Sequence, residues 1–376
     1  MPQHSLLRTP VPLDHACAVA AQHASSADKR CALAEEVVDA LTAAGFARHF
    51  VPREQGGQPG TFAELSQRVI ALGSACPSAA WCAVIQAVTG RMAAYLPPLA
   101  QTEIWSRGLD VRLSASFRCT GTVETTAEGW RLSGTWHYLS GIDFARWALV
   151  LIEPKGQERE PRFAAVPSHA WRVLDDWQTL GMRGTGSRSI TLDDVHVPSH
   201  MTFARSDLVK GRARHSQGPQ YQASPVGSDP ALFLSCALGA ASHCLEQWAQ
   251  VLGAGTLPNE LAIAYASACS TVDTCRLLLR NACELTDQGE LTPLQVARNA
   301  RDGAFAAQLL LDAMNRVFRL SGAHAHYSTS QLQKTWRDVQ TLTSHIALRP
   351  EFNFISYANQ ALAPSAQAMP PLMRHQ

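Results

Sequence analysis

The hydrophobic period changes twice along this 376-residue chain, and the order of those changes narrows the possible folds sharply. Between residues 28 and 107 apolar positions recur at helical spacing, as in Leu33, Val37, Leu41 and Ala44, with Gly45 as a stop. The run Val51-Pro52-Arg53-Glu54-Gln55-Gly56-Gly57 cannot continue a helix and marks a turn. Helical pattern resumes over 62–73, 78–95 and 98–105. Near Val111 the period shortens to two. Trp130, Leu132, Trp136 and Tyr138 alternate with Arg131, Ser133, Thr135 and His137, as in a half-buried strand. Residues 113–119, 147–152, 163–166, 171–174 and 189–197 are further strand candidates. Turn residues separate them at short intervals, which predicts a small antiparallel barrel or sandwich. Residues 204–230 carry no period and are rich in Ser, Gly, Pro, Gln and Arg, as a linker, lid or disordered loop would be. Beyond them, 231–252, 260–286, 293–320 and 330–348 are long enough for a helical bundle. In the third of these, Phe305, Leu309, Ala313 and Val317 make one apolar stripe, ended by Ser321-Gly322.

Helices, then strands, then long helices exclude a doubly wound α/β fold, in which strands and helices alternate. No strand-linked G-x-G-x-x-G and no G-x-x-x-x-G-K-[ST] is present, so dinucleotide and P-loop folds lack support. The expected class is α+β, with an N-terminal helical domain over 1–109, a central β-barrel over 110–205 and a C-terminal four-helix bundle over 206–376. With 32 basic and 31 acidic residues the net charge is +1, and no basic block of five stands out, so neither nucleic acid nor a membrane surface is an expected partner. No run of eighteen apolar residues exists, and residues 1–14 lack the apolar core of a secretory signal. Ten scattered cysteines without a C-x-x-C pair suit reduced thiols in a cytoplasm and offer no zinc site.

Four segments carry a resemblance. The first is Ala40-Leu41-Thr42-Ala43-Ala44-Gly45-Phe46, followed by Val51-Pro52 and Gly56-Gly57. The second is Trp130-Arg131-Leu132-Ser133-Gly134-Thr135-Trp136, leading to Ser140-Gly141 and Trp147. The third is Leu180-Gly181-Met182-Arg183-Gly184-Thr185-Gly186-Ser187, then Asp194-Val195-His196-Val197-Pro198. The fourth is Leu332-Gln333-Lys334-Thr335-Trp336-Arg337-Asp338, with His345 seven residues on. In this order, over about residues 30 to 362, the chain resembles the flavin-dependent monooxygenases that share the acyl-CoA dehydrogenase fold. These include two-component phenol hydroxylases, dibenzothiophene monooxygenase and amino-sugar N-oxygenases. The resemblance implies an oxygenase component, a homotetramer, served by a separate flavin reductase that supplies reduced FAD or FMN. With O2 as co-substrate, it would work through a flavin C4a-hydroperoxide to hydroxylate or N- or S-oxygenate a small organic substrate. That chemistry requires exclusion of water, hydrogen bonds around the flavin ring and a group that manages protons.

Ser140 and Gly141 are the first site candidates. They sit where a strand ends, the glycine allows close approach to a planar ring, and the resemblance puts Ser140 beside flavin N5. The alternative is an ordinary strand-ending turn. Thr185, Gly186 and Ser187 are the second, since small hydroxyl residues in a turn offer donors to a ring edge; a plain strand connection is the alternative. Arg183 suits either a phosphate or a surface pair. His345 is the catalytic candidate. Its imidazole titrates near neutrality, and it stands about two turns past Asp338 on a predicted helix, from which it would project towards the barrel. A structural histidine is the alternative. Arg337 and Asp338 are expected to tie the bundle to its neighbours. Ser114 and Ser116 on the first predicted strand are substrate candidates, or else one solvated strand face. Thr89 is a third, in Val88-Thr89-Gly90-Arg91-Met92, where several aromatic hydroxylases carry a histidine. The histidine frequent after Ser-Gly is also missing from Ser140-Gly141-Ile142-Asp143-Phe144, and both departures weaken the case for a simple phenol. His324 and His326 fit a pocket lining or solvent, while Trp105, Trp136, Trp147 and Trp177 are expected in the core.

Two rival functions remain. An acyl-CoA dehydrogenase-type flavoenzyme needs a carboxylate base, and Glu351 is the only acid between Leu348 and Ala363. A non-catalytic flavin-binding protein could use the same scaffold.

Overall fold

A computed structural model describes residues 12–118, 120–154 and 160–363. Helix begins earlier than the hydrophobic period predicts. α1 runs Leu13–Arg30 and buries Ala16, Ala20, Ala24 and Ala27, a ridge of small residues that hydropathy underweights. α2 (Glu35–Ala43) opens on Glu35 and Glu36, which complement its N-terminal dipole. Thr61 and Glu64 form a capping box at the start of α3 (Phe62–Ala75). α4 (Pro77–Ala93) and α5 (Pro98–Trp105) each start on proline, whose missing N–H would be unpaired there anyway. α4 is buried on nearly every side, and its many small residues let neighbours close in around it.

The strands are β1 (Leu113–Ser116), β2 (Thr122–Thr125), β3 (Gly129–Leu139), β4 (Trp147–Ile152), β5 (Arg162–Pro167), β6 (Arg172–Val173), β7 (Arg188–Pro198) and β8 (Thr202–Ala204). They form two four-stranded sheets, ordered β1-β4-β5-β8 and β2-β3-β7-β6. Two sheets around one core meet the sandwich alternative of the predicted barrel or sandwich, not the closed barrel. β1 pairs with β4 in parallel, the remaining pairs are antiparallel, and no closed barrel forms among the described residues. Both sheets contribute to one core that holds Leu113, Trp136, Leu149, Phe163 and Ile190. Cys119, in the first predicted strand, lies outside the described residues. The β3–β7 register slips between Trp136 and Leu139, where Tyr138 takes a φ of 66°. A bulge of this kind bends the strand end and re-aims the residues just beyond it, here Ser140-Gly141.

Residues 204–230 are not an unstructured lid. α6 (Arg205–Val209), α7 (Pro219–Gln222) and the start of α8 (Pro225–Leu252) lie within them, with a loop over 210–218. Their order comes from buried polar anchors, which no apolar period reveals. The fully buried Tyr221 donates its hydroxyl to the Phe50 carbonyl at 3.0 Å. The equally buried Arg91 donates to the carbonyls of Gln220 and Ala223 at 3.2 and 2.8 Å. Pro230, which set the predicted helix start at Ala231, lies inside α8.

The bundle continues with α9 (Asn259–Asp287) and α10 (Pro293–Leu320). The predicted stripe of α10 is met in part: Val317 is buried, Leu309 and Ala313 are half-buried against the core, and Phe305 is exposed. Gly303, Ala306, Ala307, Leu310 and Met314 complete the buried face, and a side chain at Gly303 would strike Pro230 of α8. The predicted helix 330–348 divides. α11 (Gln331–Thr343) ends, a 3-10 turn covers Ile346–Leu348, and α12 (Pro350–Ala361) restarts on proline. The N-terminal helices share one core with the bundle, whereas the sheets have their own, joined by the end of α4 and by α5. We propose 110–205 as the limits of the sheet unit on that basis. No helix of the described residues is long and apolar enough to cross a membrane.

Candidate active site

The bulge in β3, the turn around Thr185 and helix α4 bring three hydroxyls and an indole into one row. Trp81 of α4 donates its Nε1–H to Ser140 Oγ at 2.8 Å. Ser140 Oγ lies 2.7 Å from Ser187 Oγ, which lies 2.7 Å from Thr185 Oγ1. Thr185 Oγ1 donates to the Met182 carbonyl at 2.8 Å. The indole at one end can only give a proton, and the carbonyl at the other can only accept one. Each hydroxyl has one proton, so the row runs in a single direction: Trp81 to Ser140 to Ser187 to Thr185 to Met182. Ser140, Ser187 and Thr185 are all buried, and Ser140 is the most exposed of them at 8%. These residues are thus assembled as one group, together with Gly141. Gly141 has a φ of 66° and donates its N–H to the Thr185 carbonyl at 2.9 Å, which joins the two turns. Gly186, also left-handed at φ 50°, reverses the chain between Thr185 and Ser187.

His345 reaches the same row through Trp81. Its ring centroid is 5.3 Å from that of Trp81 and 5.1 Å from that of Phe233, and Trp81 and Phe233 are 4.9 Å apart. His345 is not on α11 as predicted but caps the 3-10 turn beyond it, where its Nδ1 accepts the Ala347 N–H at 3.2 Å. That bond fixes the neutral tautomer with its proton on Nε2. Burial against the two aromatic rings pushes its pKa down to about 4, so the expectation of titration near neutrality does not hold for this chain alone.

The row is anchored from the bundle side. Asp338 Oδ1 accepts the Met182 N–H at 2.6 Å, and its Oδ2 pairs with Lys334 Nζ at 2.6 Å. Asp338 is 1% exposed, and burial lowers the Lys334 pKa while Asp338 raises it, the net being upward. Arg337 bonds Asp28 at 2.9 Å and the Leu180 carbonyl at 2.7 Å. A Cβ on Gly181 would stand 2.1 Å from the Arg337 carbonyl, so the α11 backbone rests directly on that glycine. Arg337 and Asp338 therefore tie the bundle to α1 and to the turn, as expected.

The other candidates have committed hydroxyls. Ser114 Oγ donates to the Ser140 carbonyl at 2.9 Å and Ser116 Oγ to the His137 carbonyl at 2.8 Å. Thr89 Oγ1 donates to Leu113 O at 3.0 Å and Ile85 O at 2.7 Å. All three are buried, so the solvated-face alternative for the two serines falls. They brace the strand and turn that carry Ser140. Arg183 donates to the carbonyls of Asp28 and Thr179 and is not in a surface ion pair among the described residues. His324 and His326 are exposed. Sequence reasoning passed over Trp81 and Phe233. One signal for Trp81 was present, since it is the one bulky residue in Pro77-Ser78-Ala79-Ala80-Trp81-Cys82-Ala83.

The acceptor that the row leaves free at Ser140 fits an N–H on the polar edge of a flavin ring. Ser140 Oγ gives one bond and receives one, and keeps a free lone pair. The ideal Cβ position of Gly141 has only Cys82 Sγ within 4 Å, at 3.7 Å, so the approach is open. Among the described residues no three His, Cys, Asp or Glu side chains cluster to hold a metal. Glu351, the acid a dehydrogenase would need, is exposed and sits 3.5 Å from Arg349. Its own backbone N–H first, and then Arg349, hold its carboxyl below the usual range, the opposite of a buried base.

Known proteins agree with this architecture. Residues 231–350 match the acyl-CoA dehydrogenase C-terminal domain. The chain is 27% identical over 343 residues to the FADH(2)-dependent resorcinol hydroxylase, oxygenase component, of Rhizobium sp. (strain MTP-10005), with 83% of each covered. It is 29% identical over 347 residues to the flavin-dependent monooxygenase, oxygenase subunit HsaA, of Rhodococcus jostii (strain RHA1), covering 86% of this chain and 90% of that one. The structure of 3-HSA hydroxylase from Rhodococcus sp. RHA1 superposes with a TM-score of 0.88 at 24% identity, over 93% of this chain and 95% of that one. The chain has an acyl-CoA dehydrogenase-like fold, and the resorcinol hydroxylase and HsaA relatives are by name flavin-dependent oxygenase components.

Proposed function

We propose that this chain is the oxygenase component of a two-component flavin-dependent monooxygenase acting on a small organic substrate. The observation that carries the reading is the directed row of Trp81, Ser140, Ser187 and Thr185, set at the meeting of sheet, turn and bundle in a fold shared with FADH(2)-dependent relatives. When bound, reduced FAD or FMN supplies two electrons, so that one atom of O2 enters the substrate and the other leaves as water. Ser140 and Gly141 would meet the ring edge, with Thr185, Gly186 and Ser187 behind them holding the two turns together. His345 stands against the rings of Trp81 and Phe233 and, with its pKa near 4, is neutral across the neutral range, so with Nδ1 taken by the Ala347 N–H it offers a single N–H, at Nε2. Ser114, Ser116 and Thr89 act on the site through the backbone they brace, ahead of any substrate contact.

A separate flavin reductase is the partner that this reading requires. The bundle supports self-association into a homotetramer: Ile263 and Leu277 of α9, Phe305 of α10 and Phe352 and Ile355 of α12 are apolar and exposed. Nine described cysteines are free thiols, in keeping with a cytoplasmic setting. The test couples the purified chain to a general flavin reductase, NADH and labelled O2, with a panel of phenols, amines and sulfides. Incorporation of one labelled oxygen into any member supports the reading. Flavin reduction by an acyl-CoA thioester, with no labelled product, would favour the dehydrogenase.

A further inference from the structure

We propose that Thr185 and Ser187 are positioning residues that set the hydrogen-bond polarity of Ser140, making it an acceptor towards a bound ring and thereby favouring the reduced flavin. The inference rests on the flavin reading above. Its basis is the single direction of the hydroxyl row. With Trp81 giving at one end and the Met182 carbonyl accepting at the other, Ser140 spends its only proton on Ser187. What it offers a ligand is a lone pair. A reduced ring presents N–H at N5 and is received without any rearrangement. An oxidised ring presents a bare N5, which needs a donor.

The row can meet that need only by reversing. Ser140 then turns its proton to the ligand, Ser187 donates to Ser140, and Thr185 donates to Ser187. The Met182 carbonyl loses Thr185 Oγ1 but keeps the Thr185 backbone N–H at 3.1 Å and the Trp177 indole at 3.4 Å. Reversal is therefore possible, and it leaves the complex one hydrogen bond short. One such bond corresponds to a preference of about two- to tenfold for the reduced ring.

Thr185→Val keeps the shape and removes the acceptor that draws the Ser187 proton away. Ser187 then has only Ser140 Oγ, at 2.7 Å, to donate to, and the donor and acceptor states of Ser140 become equal in bonds. The experiment measures the dissociation constants of oxidised and anaerobically reduced FAD for the full chain, and the midpoint potential of the bound ring. In Thr185→Val the ratio of the oxidised to the reduced constant should fall about two- to tenfold, and a tenfold fall lowers the potential by about 30 mV. Thr185→Ser restores the hydroxyl and should return the wild-type ratio. If Thr185→Val does not fold, Ser187→Ala replaces it, with the same fall expected because Ser140 again loses its forced acceptor. A ratio unchanged by these variants, with flavin still bound, overturns the polarity assignment and leaves the proposed function standing. Failure of the wild type to bind either form overturns both.

Discussion

Replacing Asp338 by alanine should be among the most damaging single changes in the bundle, and the structure says why. The carboxylate is 1% exposed and divides its two oxygens between partners that have no substitute. Oδ2 neutralises Lys334, itself 11% exposed at the side chain, at 2.6 Å. Oδ1 receives the N–H of Met182, a non-glycine residue held at φ 53°. Removing one member of a buried ion pair costs about 3–5 kcal/mol, because the remaining charge is left without water or partner. The unpaired Met182 N–H adds about 1–3 kcal/mol, and the two costs share an atom group, so they will not simply add.

Chemical denaturation of Asp338→Ala should thus show a loss of about 3–5 kcal/mol at an unchanged denaturant slope. The decisive comparison is Lys334→Met in the Asp338→Ala background. It removes the stranded ammonium and should recover part of the loss, leaving about 1–3 kcal/mol from the orphaned N–H. The turn should loosen too, since the carbonyl of the same Met182 ends the hydroxyl row, and flavin affinity should fall. A loss under about 1 kcal/mol in Asp338→Ala, or a double variant less stable than the single, would refute the argument that this pair is a buried, mutually dependent unit.

Three further outcomes are expected from the same geometry. Burial pushes both His49 and His345 from 6.5 to about 4, so the folded chain excludes protons that the unfolded chain takes up. Their stabilising contribution is complete above about pH 6.5 and is lost as pH falls through about 4; for His49 the loss is about 2 kcal/mol by pH 5, and His49→Gln should show a correspondingly weaker pH dependence by denaturation at each pH. Trp81→Phe keeps an aromatic face for His345 and Phe233 and removes the proton given to Ser140, but the Met182 carbonyl still sets the row's direction, so the ratio of the oxidised- to the reduced-flavin dissociation constant should stay within about twofold of wild type in an anaerobic titration. Light scattering should give a mass about four times 40.8 kDa, and Phe352→Asp with Ile355→Asp should lower it; a wild-type monomer at micromolar concentration would end the tetramer proposal.

How much of this was legible in the sequence depended on whether the cause of order was local. The strand β3 was readable because Trp130, Leu132 and Trp136 alternate with polar neighbours and are buried, whereas Tyr138, the fourth predicted inward position, is turned out to solvent at the bulge. The limits of α10 were readable because Thr292, Pro293 and Gln295 form a start signal and Ser321-Gly322 a stop. α1 was not, since its buried face is four alanines, whose small size rather than hydropathy suits them to close packing. The inward face of α10 was legible at Val317, Leu309 and Ala313 but not at Phe305, and the close approach of Gly303 to Pro230, a pairing across 73 positions, is one that periodicity does not encode. The ordered segment at 204–230 was missed for a related reason: its anchor is Arg91, a charged residue more than a hundred positions upstream.

The site shows the same division. Ser140, Gly141, Thr185 and Ser187 could be nominated because two Gly-containing turns carried small hydroxyls in a recognisable order, yet their connection could not. Position along the chain says nothing of which way a hydroxyl proton points. That direction is fixed only when both ends of the row are known, and the two ends, the indole of Trp81 and the carbonyl of Met182, were ordinary residues in the sequence. The placement of His345 illustrates the converse error. Helical period continued smoothly through 330–348, but Ser344 and His345 leave the helix so that the imidazole can cap the next turn and meet Trp81 edge-on. With its Nδ1 capping that turn and its ring set against Trp81 and Phe233, His345 is a neutral donor, and the chemistry it can lend the site is set by that local break in the backbone.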